Sequence, residues 1–336
     1  MFADFDNFRS FDQFQKTHNI VQYDDVIQLT LPEYHYCPCV LANMVDAEYT
    51  TWNMDLPEIH KSEKLILHTQ DHLNVRQGGV LPEINAIEDF YEGHDLSNIV
   101  VIHWNHRLNE LYNGKINLIE FPTYVFDSVQ VSMHRKSEWE NEIYNRTNKY
   151  DFICLNGKAR THRMNVCDYL DTLSNTYKIT RGWADDYEHA PYNDHNYNDT
   201  DNFIKLIELY NGSNINIVTE TMYDESHGVI TEKTLNAFAA MQLPIVIGYT
   251  GIIDDIRNYG FDVFDDIIDH SYDIMDNDVR WRMAIDLNKH LFNGDYNYNE
   301  LMPRLKKNQE YLINGYPSKI IENFNHQVSE MYLRMC

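Results

Sequence analysis

The sequence predicts an α/β protein with two domains built on doubly wound parallel sheets, and three observations lead to this prediction. Short apolar runs alternate with helical segments of mixed polarity along most of the chain. Some of these runs, such as 98–104, are apolar without interruption, which is typical of strands buried on both faces of a parallel sheet. The chain has 336 residues, of which 43% are apolar, and this is enough for two such domains.

In the first half of the chain, an alternation of strands and helices can be recognised from residue 61 onward. We expect strands at 64–69 and 98–104, a helix at 86–93, further apolar segments at 116–121 and 123–131, and a helix at 134–145. Residues 1–60 show no clear alternation. We interpret Cys37-Pro38-Cys39 as a turn, because its spacing is not that of a metal-binding cysteine loop. The polar stretch that ends this half predicts a first domain at 1–148.

The second half repeats the alternation more clearly. We expect strands at 150–156, 177–182, 215–220, 244–249 and 261–264, helices at 161–173, 201–210 and 251–260, and a helix that begins at Thr231. After residue 275 the pattern is helical. It predicts a second domain at 149–315 and a C-terminal helix at 316–336 that packs back on the first domain. Ligands of doubly wound sheets bind at the carboxyl ends of the strands, so functional residues are expected there.

Composition restricts the partners of the protein. The formal charge of −25 disfavours nucleic acid and anionic membranes as partners. No apolar run reaches 18 residues, and the acidic, aromatic beginning of the sequence does not resemble a signal peptide. We therefore expect no membrane span and a cytoplasmic location, in the host cytoplasm if the source is viral. Five cysteines in apolar context indicate reduced thiols.

The segment 215–249 carries the most specific chemistry. It has the pattern of a strand, a loop, a helix and a second strand. Thr231 is a good helix N-cap, and Glu232 and Lys233 follow in the first turn. A carboxylate at this position can accept hydrogen bonds from a ribose, and the ammonium can meet a phosphate. The alternative is a solvated first turn in which Glu232 only complements the helix dipole. The chain has no G-x-G-x-x-G motif and no Walker P-loop.

Two motifs resemble the α-1,3-fucosyltransferases, glycosyltransferase family 10, and related viral, phage and bacterial proteins. The first consists of Thr219-Glu220-Thr221 and Val229-Ile230-Thr231-Glu232-Lys233. The second contains Asn156 directly after a predicted strand, and Arg163 in the helix that follows. The resemblance covers about residues 150–275. It departs from the family at Thr219, Thr221 and Val229, where the family has Phe, Asn and Tyr, so it leaves the sugar and the base open.

The resemblance implies a GT-B fold, with two Rossmann-like domains facing a cleft and C-terminal helices. It implies transfer of a sugar from a nucleotide-diphosphate donor to a glycan or small-molecule hydroxyl, with inversion and without a metal or other cofactor. By this resemblance Asn156 and Arg163 belong to the donor site, Glu232 holds the ribose, and Lys233 and Arg163 neutralise the diphosphate. Glu220 then faces the sugar or shapes the pocket. Arg160, in the same loop as Lys158, adds positive charge.

The acceptor side and the reaction class leave several possibilities open. Inversion needs a general base, and Asp71 and His103 each follow a predicted strand, although either residue has an equally good structural use. Adjacent aspartates, Asp185-Asp186 and Asp254-Asp255, are compatible with a metal-dependent enzyme instead. A local basic surface could admit phage DNA with a hydroxylated base as acceptor; its candidate residues are Arg107, Lys115, Arg135 and Lys136. The last possibility is a non-catalytic binding protein with a degenerate glycosyltransferase fold.

Overall fold

A computed structural model describes residues 23–39, 56–58, 63–69, 81–105, 107–122, 125–126, 129, 134–183, 203–223 and 228–335. Its strands form two sheets of four, and every strand pair is parallel. The α/β class and the parallel sheets predicted from the sequence are therefore confirmed. None of the helices in these ranges is both long and apolar enough to cross a membrane.

The first sheet is built from consecutive strands. Its strands are β1 (His35–Cys39), β2 (Leu65–Thr69), β3 (Ile99–His103) and β4 (Asn117–Glu120), in that order across the sheet. The helices of this part are α1 (Tyr23–Thr30), α2 (Pro82–Phe90) and α3 (Arg107–Leu111). Residues Leu65, Leu67, Ile99 and Val101 are fully buried against Ile84 and Ile87 of α2, among others. Ile66, Val100 and Ile102 on the opposite face are fully buried too, which explains why these strands are apolar on both faces.

The second sheet has a different strand order. Its strands are β5 (Phe152–Cys154), β6 (Tyr177–Ile179), β7 (Ile215–Thr219) and β8 (Leu243–Ile247), arranged β6-β5-β7-β8. The helices before β8 are α4 (Lys136–Tyr144), α5 (Thr161–Leu170), α6 (Ile207–Tyr210) and α7 (Glu232–Ala239). Strand β6 pairs with one edge of β5, and β7 pairs with the other edge, so the strand order reverses between β5 and β7. In α/β sheets this reversal opens a crevice where ligands bind.

The elements that follow β8 are helices. They are α8 (Ile252–Asn258), α9 (Asn277–Leu287), α10 (Lys289–Phe292), α11 (Tyr298–Glu310), a π-helical turn at Tyr311–Gly315, and α12 (Tyr316–Met335). Pro303 lies within α11, and short 3₁₀ turns occur at Leu96–Asn98 and Ser271–Ile274.

The described residues form two compact units. The β1–β4 unit contains those between 23 and 126, Gly228–Val229 and those from 318 onward, and the β5–β8 unit contains those at 129–223 and 230–317. Within the β1–β4 unit, Phe324 of α12 stacks on Phe121 at 4.9 Å between ring centroids, and Gln327 hydrogen-bonds both backbone groups of Glu120. Helix α4 lies in the β5–β8 unit, where Trp139 meets Phe203 edge to face.

Two local predictions are wrong. Residues 261–264 are not a strand, because Phe264 has a positive φ of 63° and the Asp262 carboxylate accepts a hydrogen bond from the Phe264 amide, which folds the chain into a turn. Cys37-Pro38-Cys39 is not a turn but the end of edge strand β1. Proline is tolerated there because β1 pairs on one side only, with β2, within the described sheet.

Candidate functional site

The carboxyl ends of β5 and β7, where the strand order reverses, carry most of the predicted donor residues. Asn156 lies two residues beyond β5, and Glu220 directly follows β7. The helices after these strands, α5 and α7, begin at Thr161 and Glu232. The fold therefore brings together at one edge of the sheet two motifs that are far apart in the sequence.

Glu220 holds the beginning of α7 in place. Its carboxylate is completely buried and accepts four hydrogen bonds. They come from the Thr221 amide at 3.2 Å, the Thr231 amide at 3.1 Å, the Thr231 hydroxyl and the Thr234 hydroxyl at 2.6 Å. The negative charge thus complements the N-terminus of α7. Of the two roles expected for Glu220, these contacts favour shaping the pocket over facing the sugar.

Glu232 and Lys233 form an ion pair in the first turn of α7, with 2.5 Å between Oε1 and Nζ. Lys233 Nζ also donates to the hydroxyls of Thr231 and Thr221, at 3.2 and 3.3 Å. Burial raises the pKa of the Glu232 carboxyl, but the Lys233 charge and its hydrogen bond outweigh this and lower the pKa overall. Thr231 caps the helix, as predicted, since its hydroxyl accepts from the Lys233 amide.

Arg163 is a buried guanidinium. Its side chain is 2% exposed and donates to the carbonyls of Lys158 at 3.3 Å and Thr219 at 3.2 Å, and to the Thr221 hydroxyl at 3.5 Å. Within the described residues no carboxylate forms an ion pair with it, and its Nε has no hydrogen-bond partner. Burial and the neighbouring Arg160 lower the pKa of Arg163, but an arginine stays charged near neutral pH.

The Thr221 hydroxyl links the two cations. It accepts from Arg163 Nη2 and from Lys233 Nζ, so these atoms lie at most about 7 Å apart. Like charges at that distance repel by roughly 2 kcal/mol at an effective dielectric constant of 20. The ion pair of Lys233 with Glu232 already offsets part of this repulsion, and an anion bound beside Thr221 would reduce it further.

Asn156 joins the two strand ends. It is completely buried; its amide nitrogen donates to the thiols of Cys154 at 3.2 Å and Cys167 at 3.5 Å, and its carbonyl accepts from the Thr219 hydroxyl. Both thiols are free. Asn156 therefore positions β5 against β7.

A cavity of about 530 Å³ lies at this edge of the sheet. Its walls are the N-terminal part of α5, the segment after β7 and the N-terminal part of α9; the lining residues are Arg160, Thr161, His162, Asn165, Thr221, Met222, Tyr223, Asn277, Asp278 and Trp281. The volume is typical of a small-molecule site. Arg160 precedes α5 as its N-cap residue and lines this cavity, so the predicted positive charge is present there.

One wall of the cavity is held rigidly. Tyr223 stacks on the His162 ring, at 4.6 Å and 8°, and the Arg280 guanidinium lies 4.7 Å from the Tyr223 ring centroid. Arg280 is completely buried and donates to the carbonyls of Tyr223 and Met275. Burial, reinforced by Arg163, lowers the pKa of His162 to about 4, so the ring is neutral at pH 7. As a neutral ring it hydrogen-bonds the Glu220 carbonyl through Nε2 at 3.0 Å.

The two candidates for a general base have different outcomes. Asp71 lies outside the described residues. His103 ends β3 and is 1% exposed, with Nε2 3.1 Å from the side-chain Oδ1 of Asn109. This burial favours the structural use of His103, and the catalytic role stays a prediction.

The sequence did not point to His162, Tyr223 and Trp281, which line the cavity, or to Arg280, which packs against Tyr223. Arg280 and Trp281 lie in a helix outside the two motifs, and their positions follow no local pattern. An unusual signal was available only for Trp281, a large aromatic residue between two arginines.

Among the residues that could indicate a metal site or a DNA surface, Asp254, Asp255, Arg135 and Lys136 are engaged in local contacts. Asp254 pairs with Arg257, and Asp255 accepts from the Tyr249 hydroxyl, while 185–186 lie outside the described residues. In the ranges that the structure covers, no group of three or more His, Cys, Asp or Glu side chains is arranged to hold a metal ion. The charges of Arg135 and Lys136 are compensated by ion pairs with nearby glutamates of α4, Glu138 and Glu140.

Comparison with protein-family models, with curated proteins and with solved structures finds no match to this chain.

Proposed function

We propose that the protein is a glycosyltransferase of the GT-B kind whose β5–β8 unit binds a nucleoside-diphosphate sugar. The sugar is transferred to a hydroxyl of a glycan or small molecule, with inversion and without a bound metal. The observation that carries the proposal is Arg163, a buried guanidinium at the point of strand reversal with no ion-pair partner among the described residues. The carboxylates of Glu220 and Glu232 offset part of the cost of burying this charge, and a bound anion would offset more of it.

The diphosphate is the part of the donor that this arrangement fits best. Negative charge builds up on it as the bond to the sugar breaks, and Arg163 and Lys233 neutralise that charge beside Thr221. The backbone amides at the start of α7 are not the main anion site, because Glu220 already accepts from the Thr231 amide. Side-chain cations therefore do the work that helix amides do in P-loop proteins.

Glu232 supports the same interpretation of the donor. Its carboxylate is 18% exposed, is held by Lys233, and has its pKa lowered by that pair, so it is an anionic acceptor suited to ribose hydroxyls. The aromatic and polar cavity that includes Thr221 has room for the nucleoside.

Binding measurements test this proposal. We expect calorimetry to detect binding of inorganic pyrophosphate and of at least one nucleoside diphosphate. Arg163→Gln and Lys233→Gln each remove a charged hydrogen-bond donor and should weaken both ligands about 10- to 100-fold. Arg257→Gln is the matched control, because this exposed arginine pairs with Asp254 and Asp265 and should leave binding unchanged.

Turnover separates an enzyme from a binding protein. Incubation with a panel of nucleotide sugars and hydroxyl acceptors should release the nucleoside diphosphate with one of them, and Arg163→Gln should abolish the release. Binding without any release would favour a non-catalytic binding protein. If neither pyrophosphate nor any nucleotide binds, or if Arg163→Gln binds as the wild type does, the proposal is wrong.

A further inference from the structure

Three aromatic rings line the cavity beside Thr221, and they differ in the surface they offer. Tyr223 already has two planar partners, the His162 ring at 4.6 Å and the Arg280 guanidinium at 4.7 Å from the ring centroid. His162 has one face on Tyr223 and is only 7% exposed. Trp281 is partly exposed, and its edge-to-face contact with Tyr169, at 77° and 5.9 Å, covers at most one face. Trp281 is therefore the ring that can receive a planar ligand.

The backbone of Trp281 is fixed at the wall of the cavity. The Tyr223 hydroxyl accepts from the Trp281 amide at 3.1 Å and donates to the Asn277 carbonyl at 2.5 Å. Tyr223 is itself clamped by His162 and Arg280. A platform that is held in place before the ligand arrives loses little entropy on binding.

The cavity combines an aromatic group, Trp281, with a cationic one, Arg160, and the cations Arg163 and Lys233 reach it only through the Thr221 hydroxyl. Trp281 and Thr221 both line it, and Thr221 carries the contacts to Arg163 and Lys233. A nucleoside diphosphate has the same two chemistries, a flat apolar base and a doubly charged tail. Exposed Asp278 and Asn165, which also line the cavity, supply polar groups for the edge of a base.

We infer that Trp281 is the stacking platform for the nucleobase of the donor, and this inference rests on the function proposed above. Every nucleobase offers a π face, so stacking on Trp281 increases the affinity for any base and does not select one base over another. Base–aromatic stacking is worth roughly 5- to 150-fold in affinity. Trp281 lies in α9, beyond the segment that resembles known donor sites, so this role follows from the cavity alone.

The test compares ligands with and without a base. Calorimetry with the nucleoside diphosphate that binds best and with inorganic pyrophosphate is run on wild type, Trp281→Leu and Trp281→Phe. We expect Trp281→Leu to weaken the nucleotide by about tenfold or more and pyrophosphate by less than about twofold. Trp281→Phe keeps an aromatic face and should recover most of the loss. Tyr169→Phe is the control, because it removes only the hydroxyl that contacts Asp286 and Lys289 behind Trp281.

Each contrary outcome is decisive. Equal weakening of nucleotide and pyrophosphate by Trp281→Leu would show a general disturbance of the site, and the inference would be wrong. An unchanged nucleotide affinity would also overturn it, while pyrophosphate binding that depends on Arg163 would leave the proposed function standing. If wild type binds neither ligand, the proposed function and this inference fail together.

Discussion

The role of Glu220 can be tested by replacing it with glutamine, which changes one carboxylate oxygen into an amide NH₂. Each carboxylate oxygen accepts one backbone amide and one hydroxyl: Oε1 accepts from the Thr231 amide and Thr234, and Oε2 from the Thr221 amide and the Thr231 hydroxyl. A hydroxyl can rotate and accept from NH₂, but a backbone N–H cannot. Whichever way the glutamine amide is oriented, one buried backbone N–H loses its acceptor.

The expected cost follows from these contacts. A buried donor left without a partner costs about 1–3 kcal/mol, and the remaining bonds lose the strengthening that came from the charge. We therefore expect Glu220→Gln to lower the free energy of unfolding of the β5–β8 unit by about 2–4 kcal/mol. For a unit of this size each kcal/mol corresponds to about 2–4 °C in melting temperature.

Thermal unfolding followed by circular dichroism measures the effect, with Glu310→Gln as control. Glu310 is exposed at the end of α11, and its substitution should change stability by less than about 0.5 kcal/mol. If Glu220→Gln melts with the wild type but no longer binds nucleotide, Glu220 contacts the ligand and does not merely hold α7. That result would refute the buried-cap interpretation.

Two further predictions concern the same edge of the sheet. The pKa of His162 is lowered to about 4 in the folded protein from 6.5, so its neutral form stabilises the fold above pH 6.5, and this contribution is lost as the pH falls toward 4. Urea unfolding at pH 7 and at pH 4.5 measures how much free energy of unfolding is lost between the two pH values. This loss should be about 2–3 kcal/mol smaller for His162→Gln than for wild type. An equal loss in both proteins would contradict the lowered pKa. Gly182→Ala should destabilise the protein, because its Cβ would lie 2.3 Å from the Gly157 carbonyl oxygen. A melting temperature equal to that of wild type would show that this loop readily moves apart.

Local patterns predicted the strands and helices well where burial is uniform. The runs that became β3, β7 and β8 are buried along their whole length, so their apolar residues are uninterrupted or nearly so. The pattern failed at 261–264, where alternate apolar residues are buried in a turn that Asp262 fixes. A buried position is usually occupied by an apolar residue whether the backbone there forms a strand or a turn, so an apolar pattern by itself does not establish a strand.

The site was predicted in part, because some of its residues are determined by local chemistry. Thr231 and Lys233 could be placed at the start of a helix from the sequence, since capping is a relation between near neighbours. The role of Glu220 could not be predicted from the sequence, because its partners lie up to 14 residues away and contact it only when the loop folds back. Trp281 lines the cavity from a helix that no sequence motif connects with it, and Arg280 of the same helix supports Tyr223.

By itself the sequence determined which segments are apolar enough to be strands, where α7 begins, and which charged residues follow the strand ends. These properties depend on a residue and its near neighbours. Only the tertiary structure decided that the strand order reverses between β5 and β7, that Arg163 and Lys233 meet at the Thr221 hydroxyl, and that Trp281 lines the same cavity. The order of parallel strands is set by how connecting helices pack, and it brings together side chains that the sequence keeps far apart.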